Sequence, residues 1–496
     1  MLGIYLLLGV LYAVRTPAWQ TPDEPAHVQV IRQLQANGCC PLIAPGDWDQ
    51  ALLSQLTSAR FAPELLDALP TIQYEDHQPP LYYLLALPVY TATNSSLLAV
   101  RLLSLLLGAG VVVAAYAAAR ALLPARGWAA VSAAAFTALV PQHLAMMAAA
   151  NNDALSELIV ALGLLLVIYH LRGTGERLYA LAWAALALLL AGVLLIAALP
   201  AGNVAPLIAG SAALAAGAAA AALWRWRGDS PPLLIGVALG AAAGLAFQAK
   251  MNAAFIAGVI ALAVLLRWLT APSLTGRQRV LGFLRDGLLA AGIGLALGGI
   301  WWERNISVYG FPDLFGLRAH DAVVVGQPRS ADFFAELGAA EGLRRFLQTT
   351  FNSAWGQLGW MALPLPEWAY ALIWAFLGVV GLGWIVRLVQ RETPPLDAPA
   401  RWRTRATAVL MAAAGLVVLQ FVYYNSVFYQ AQGRYLFTAL IPAALAVALG
   451  LDGWGRLFPH GRTRLLAHWA GPALVLALFV PLNSFVIWRM LPLLAP

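Results

Sequence analysis

The chain is poor in charge, in lysine and in cysteine. Asp, Glu, Lys and Arg make up 11% of its 496 residues, while 61% are hydrophobic. A soluble protein of this length cannot hide so much apolar surface, so a soluble globular fold is excluded. The two cysteines, Cys39 and Cys40, are adjacent. Neighbouring cysteines rarely bond to each other, which excludes a disulfide framework and leaves two free thiols in a loop. A basic segment and a cleavage site are both missing around the first apolar run, so it reads as a retained helix. That run starts almost at the first residue; the helix begins at the terminus, or the true start lies upstream. No tandem repeat is visible.

What is present is a series of apolar runs along the whole length, too long for the strands of a β-barrel. About thirteen are long enough to read as spans once flanking polar residues complete the shorter ones. They are 2–19, 97–119, 127–148, 154–170, 178–199, 204–223, 233–248, 252–266, 287–302, 368–386, 406–424, 435–451 and 465–488. The expected fold is an all-α polytopic membrane protein, with 1–496 as a single transmembrane domain. The net charge of +7 does not imply nucleic acid, because the basic residues fall in short loops between apolar runs. One set of loops carries about 18 basic against about 6 acidic residues, roughly +12; the other side is roughly −5. The arginine-rich side is expected to be cytoplasmic, with the N-terminus inside and Asp23 outside. This requires that 79–93, about 15 residues, be a re-entrant or interfacial helix rather than a span.

Two long loops interrupt the bundle, 20–96 and 303–367. In the first, 25–37 reads as an amphipathic helix with Val28, Ile31 and Leu34 on one face, Asp23 as N-cap and Gly38 beyond its end. A second amphipathic stretch, 48–69, is expected to lie along the membrane surface. The second loop is rich in Phe, Tyr and Trp.

The polar residues concentrate at motifs. Thr21-Pro-Asp-Glu-Pro-Ala-His27 follows the first run, and Asp23 and Glu24 lie where membrane meets water. Acidic groups at that depth are costly unless paired, solvated or bound to a cation. Glu75, Asp76 and His77 stand just before Pro79-Pro80. Asn151, Asn152 and Asp153 precede a middle span, Lys250 is the single lysine, Arg304 follows two tryptophans, and Gln432-Gly-Arg-Tyr435 stands late in the chain.

In this order the motifs resemble the GT-C glycosyltransferase superfamily, which includes the protein O-mannosyltransferases and the lipid A aminoarabinose transferase. They are closer still to a group of bacterial membrane proteins of largely unassigned acceptor. The resemblance implies a GT-C-like bundle with extracytoplasmic amphipathic helices. It implies transfer of a sugar from a polyprenyl-phosphate donor to a lipid, glycan or protein acceptor at the outer face of the inner (plasma) membrane. By the same resemblance Asp23 is the general base and His77 lies by the donor phosphate. Glu24 and His27 would orient Asp23 or help hold a divalent cation, Mg or Mn. Glu75 and Asp76 are the candidate metal ligands, and a solvated acidic turn is the plain alternative. Such chemistry needs cations for the phosphate, and Lys250, Arg304 and Arg434 are expected to converge for it; snorkelling to lipid headgroups is the alternative. His27, Asn151, Asn152, Asp153, Gln432 and Tyr435 are substrate-binding candidates, with helix capping the other reading of the Asn-Asn-Asp run. The rival function is a transporter or flippase of a lipid-linked saccharide. That class usually shows mid-span charges and a repeated half.

Overall fold

A computed structural model describes residues 1–173, 232–270, 274–390, 398–458 and 461–496. Among these the chain is all-helical apart from a two-stranded antiparallel hairpin, Gln357–Leu358 with Leu363–Pro364. Among the described residues eight helices are long and apolar enough to cross a membrane, or nine if one bent pair counts as a single span. The expected spans 178–199 and 204–223 lie outside the described residues. The first span is shorter than its apolar run, Leu2–Arg15 with 14 residues, and the segment expected not to cross holds Leu81–Ala92 with 12. At 1.5 Å per residue the latter reaches about 18 Å, short of a hydrocarbon layer of about 30 Å.

The bundle is organised around Asp153–Arg172. Its apolar window is wholly buried, as befits a helix that is hydrophobic all round. Leu97–Leu122, Pro232–Ala249, Phe255–Leu269 and Ala398–Asn425 pack against it. Pro232–Ala249 also lies along Gly276–Tyr309, where small residues let the two backbones close up. A Cβ on Gly240 would stand 2.8 Å from that of Ile293 and 2.9 Å from the Leu289 carbonyl oxygen. The outward faces of the peripheral helices stay apolar: Leu288, Leu295 and Ile300 are exposed, which suits lipid. The expected span 127–148 is broken. Gly127–Leu139 and Pro141–Met147 meet at 65°, because Pro141 has no N–H for the ladder and its ring clashes with the preceding turn.

At one end the two long loops fold onto each other. Leu53, Leu56, Phe61, Leu69, Ile72 and Tyr74 form a small core with Val324 of the second loop. The Trp48 indole donates to the Val325 carbonyl at 2.8 Å, and the Tyr309 hydroxyl accepts from the Ile43 amide at 3.1 Å. The stretch expected along the membrane surface is therefore a loop-core element. It comprises Gln50–Ser58, capped by Asp49, and the 3₁₀ turn Pro63–Thr71. Cys39 and Cys40 are joined as a vicinal disulfide, contrary to the free thiols expected.

Candidate functional site

The acidic motif enters the structure as the start of helix Glu24–Asn37. Asp23 takes the N-cap position, but with a left-handed backbone, φ 65°, and without a side-chain cap bond. A non-glycine residue in that region is strained, so the local structure must hold it there. Its carboxylate turns inward. Oδ1 accepts from the Tyr74 hydroxyl at 2.8 Å, and Oδ2 is paired with Nη2 of Arg434. Burial by itself would raise the Asp23 carboxyl; Arg434 and the Tyr74 hydroxyl instead bring it down to about 2, so it is ionised at neutral pH.

Arg434 arrives from the far end of the chain on the 3₁₀ turn Gly433–Ala439. Gly433 permits this. Its amide donates to Ser353 Oγ at 2.8 Å, and a Cβ there would meet the Thr350 carbonyl oxygen at 2.5 Å. Arg434 Nε donates to Gln432 Oε1 at 2.8 Å, and its guanidinium lies 5.2 Å from the centre of the Tyr435 ring. Nη1 is buried without a partner.

His27, one turn beyond Asp23, is buried. Nδ1 meets the Tyr83 hydroxyl at 2.9 Å and Nε2 has no partner. Burial, aided by the charge of Lys250, takes its pKa down to about 3, so the ring is neutral. Glu75 closes the group. Ligand atoms of Asp23, His27 and Glu75 all lie within 4.8 Å of one another. Burial and the charge of Asp23 push Glu75 up to about 8, and its Oε2 is buried and unpartnered. Two orphaned atoms, one imidazole nitrogen and one carboxylate oxygen, beside an ionised carboxylate are a donor set that fits a divalent cation. Asp76 is turned away from this group. It accepts from Gln33 Nε2 at 2.6 Å, and burial, partly opposed by that bond, takes it up to about 7. His77 lies under the second loop, its ring 4.4 Å from that of His320.

On the bundle side, Lys250 Nζ donates to Asp153 Oδ1 at 2.6 Å. Asn151 Oδ1 accepts from the Asp153 amide at 2.8 Å, its amide nitrogen is buried without a partner, and Asn152 at the N-cap makes no side-chain cap bond. Asn152 reaches the Tyr83 hydroxyl at 3.4 Å, and its Oδ1 is unpartnered. Lys250, Arg434, Asp23, Glu75 and Asp153 are thus neighbours, close enough for their charges to act on one another.

Two expected members stand apart. Glu24 is buried, and both its oxygens are occupied. Arg101 donates to them from Nε at 2.8 Å and Nη2 at 2.6 Å, and the Trp19 and Ala150 amides each add a bond at 3.1 Å. No oxygen is left for a substrate or a metal, so Glu24 holds the fold. Arg304 does not join Lys250 and Arg434. Its guanidinium is held by the Cys40 and Pro41 carbonyls and by Asn305, over the rings of Trp301 and Tyr309. Arg101 went unread, although a charge one turn inside an apolar run demands a partner. His143 and Glu157, paired at 2.9 Å one turn below Asp153, were missed on the same grounds.

No protein-family model and no curated protein sequence matches the chain. Among solved structures it is similar to ArnT from Cupriavidus metallidurans bound to undecaprenyl phosphate. That match has 14% identity and a TM-score of 0.46, and covers 99% of this chain and 73% of that one. The apo state of the same protein matches at 14% identity and a TM-score of 0.37, over 96% of this chain and 76% of that one. At these scores the likeness carries no functional weight, and the chemistry rests on the geometry of the site itself.

Proposed function

We propose that the chain transfers a sugar from a polyprenyl-phosphate donor to an acceptor hydroxyl or amine at the membrane surface, with Asp23 as general base. One observation carries this reading: an ionised carboxylate paired with an arginine that still has a buried donor to give. A donor phosphate would take the Nη1 of Arg434 and compete with Asp23 for Nη2, with Lys250 adding positive charge. Each step that draws Arg434 towards phosphate raises the proton affinity of Asp23. The base is thereby switched on where the leaving group is bound. The acceptor oxygen or nitrogen forms the new bond to the anomeric carbon. The bond from that carbon to phosphate oxygen breaks, prenyl phosphate leaves, and the acceptor proton passes to Asp23. Asp23, His27 and Glu75 would hold a divalent cation, which when bound would neutralise charge on the donor phosphate. Asn151 and Asn152 carry the spare amide groups suited to sugar hydroxyls.

The transporter reading draws on the His143–Glu157 pair, which lies inside the bundle. Both functions can be separated with the purified full chain in sealed proteoliposomes. The transferase should cleave a prenyl-phosphate sugar to free prenyl phosphate, read by chromatography. Asp23→Asn keeps the shape but not the base, and should slow release by about a hundredfold or more. Donor that crosses the bilayer uncleaved, or an Asp23→Asn variant with full turnover, would replace this assignment.

A further inference from the structure

The Asp153–Arg172 helix has a second polar end. At 1.5 Å per residue it lies about 30 Å from Asp153, on the far side of the bundle. There the structure has an open cavity of about 650 Å³, within the size range of small-molecule sites. Arg172, Arg267, Arg285, Arg401 and Arg405 line it. They come from four helices: Asp153–Arg172, Phe255–Leu269, Gly276–Tyr309 and Ala398–Asn425.

The wall has no carboxylate among the described residues. Asp286 stands behind it and bonds Arg285 Nε at 2.7 Å and the Trp268 indole at 2.8 Å. Backbone carbonyls position Arg267 and Arg405. Arg267 donates to the His170 carbonyl and Arg405 to the Thr270 carbonyl at 2.7 Å. Arg267 and Arg285 lie over the Trp268 ring at 5.3 and 5.5 Å, and Arg172 lies over Trp402 at 5.6 Å. Asp286 acts on Arg285 and Arg267, so one carboxylate stands behind the guanidinium forks of Arg267, Arg285, Arg401 and Arg405, and like charges gathered around one cavity repel.

A second basic cluster nearby is built the other way. Asp452 there accepts from Trp128 Nε1 at 2.7 Å and is ion-paired with Arg126, Arg387 and, at 3.0 Å, His468. Asp452 stands in the wall of that cluster's cavity, whereas Asp286 stands behind the wall of the larger one.

We propose that the larger cavity binds the phosphate of an anionic phospholipid headgroup. Arginine forks match phosphate oxygens in pairs, and basic pockets between transmembrane helices take such headgroups. The walls favour a lipid over a free anion. Trp268 and Trp402 are of the type enriched at headgroup depth, and Leu281 on the same wall is exposed, where an acyl chain would lie. This site is independent of the glycosyltransferase reading, since it shares no residue with it.

Native mass spectrometry of the purified full chain, titrated with phosphatidylglycerol or phosphatidylcholine of the same acyl chains, reads the preference directly. The wild type should retain phosphatidylglycerol about tenfold better or more. Arg401→Gln, at an exposed side chain, should lose about fivefold of that preference, and Arg401→Gln with Arg405→Gln should bring it near parity. The corresponding double Lys variant should keep most of it, which separates charge from folding. A preference unchanged in the Gln variants would overturn the site. Equal retention of the two lipids, with arginine-dependent binding of inorganic phosphate alone, would overturn the lipid and assign the cavity to a free phosphate.

Discussion

Two arginine–carboxylate pairs stand one residue apart at the head of the Glu24–Asn37 helix, and they are built for different ends. Glu24 and Arg101 form a closed pair. Every oxygen of the one is occupied, and the guanidinium also donates to the Ala13, Thr16 and Pro17 carbonyls. Asp23 and Arg434 form an open pair. Asp23 is half-buried on a strained backbone, and Arg434 keeps a buried nitrogen without a partner. A saturated pair can only hold the structure together. An unsaturated one retains the capacity to meet a ligand, and it sits among other orphaned groups on His27, Glu75, Asn151 and Asn152.

The contrast can be broken most directly at the closed pair. Glu24→Gln leaves Arg101 buried without its counter-charge, which should cost about 3–5 kcal/mol. The thermal unfolding midpoint of the purified chain should fall sharply; an unchanged melting curve would erase the distinction. At the open pair the loss should be one of binding. Arg434→Ala removes charge-assisted bonds to phosphate and should weaken prenyl-phosphate affinity by about ten- to a hundredfold, read by tryptophan fluorescence titration. Its melting midpoint should fall less than that of Glu24→Gln, and the reverse ranking would make Arg434 the structural member. The smallest effect belongs to the neighbouring cation site. Glu75→Gln should lower Mn affinity about tenfold in calorimetric titration and leave the fold intact. Equal affinity would take the cation away from Asp23, His27 and Glu75.

Much of this was legible in the sequence because it depends on neighbours in the chain. The run at 154–170 is a helix, Asp153–Arg172, and Asp49 caps where a polar residue precedes an amphipathic stretch. The acidic motif is where local reading stopped. Asp23 and Glu24 are equivalent in sequence, adjacent and equally acidic, yet a helix start sends successive side chains in different directions. One meets Arg434 and the other Arg101. Arg304 and Arg434 likewise looked alike, as arginines at helix ends beside aromatics, until the Cys40–Pro41 backbone claimed the first. The amphipathic stretch 48–69 has an apolar face that would suit lipid. Periodicity does not say what covers a face, and here the second loop does.

The break at Pro141 was not read from the run 127–148, but composition and run length determined by themselves that this is a bundle of membrane-length helices. Those properties follow from apolar transfer and backbone hydrogen bonding, which act over a few turns. Which charges meet was decided by tertiary structure alone. Asp23 and Arg434 are 411 residues apart and Lys250 and Asp153 are 97 apart. Nothing local selects such partners. Packing places each charge in the bundle, and a charge removed from water is then tolerated only beside the partner that the packing provides.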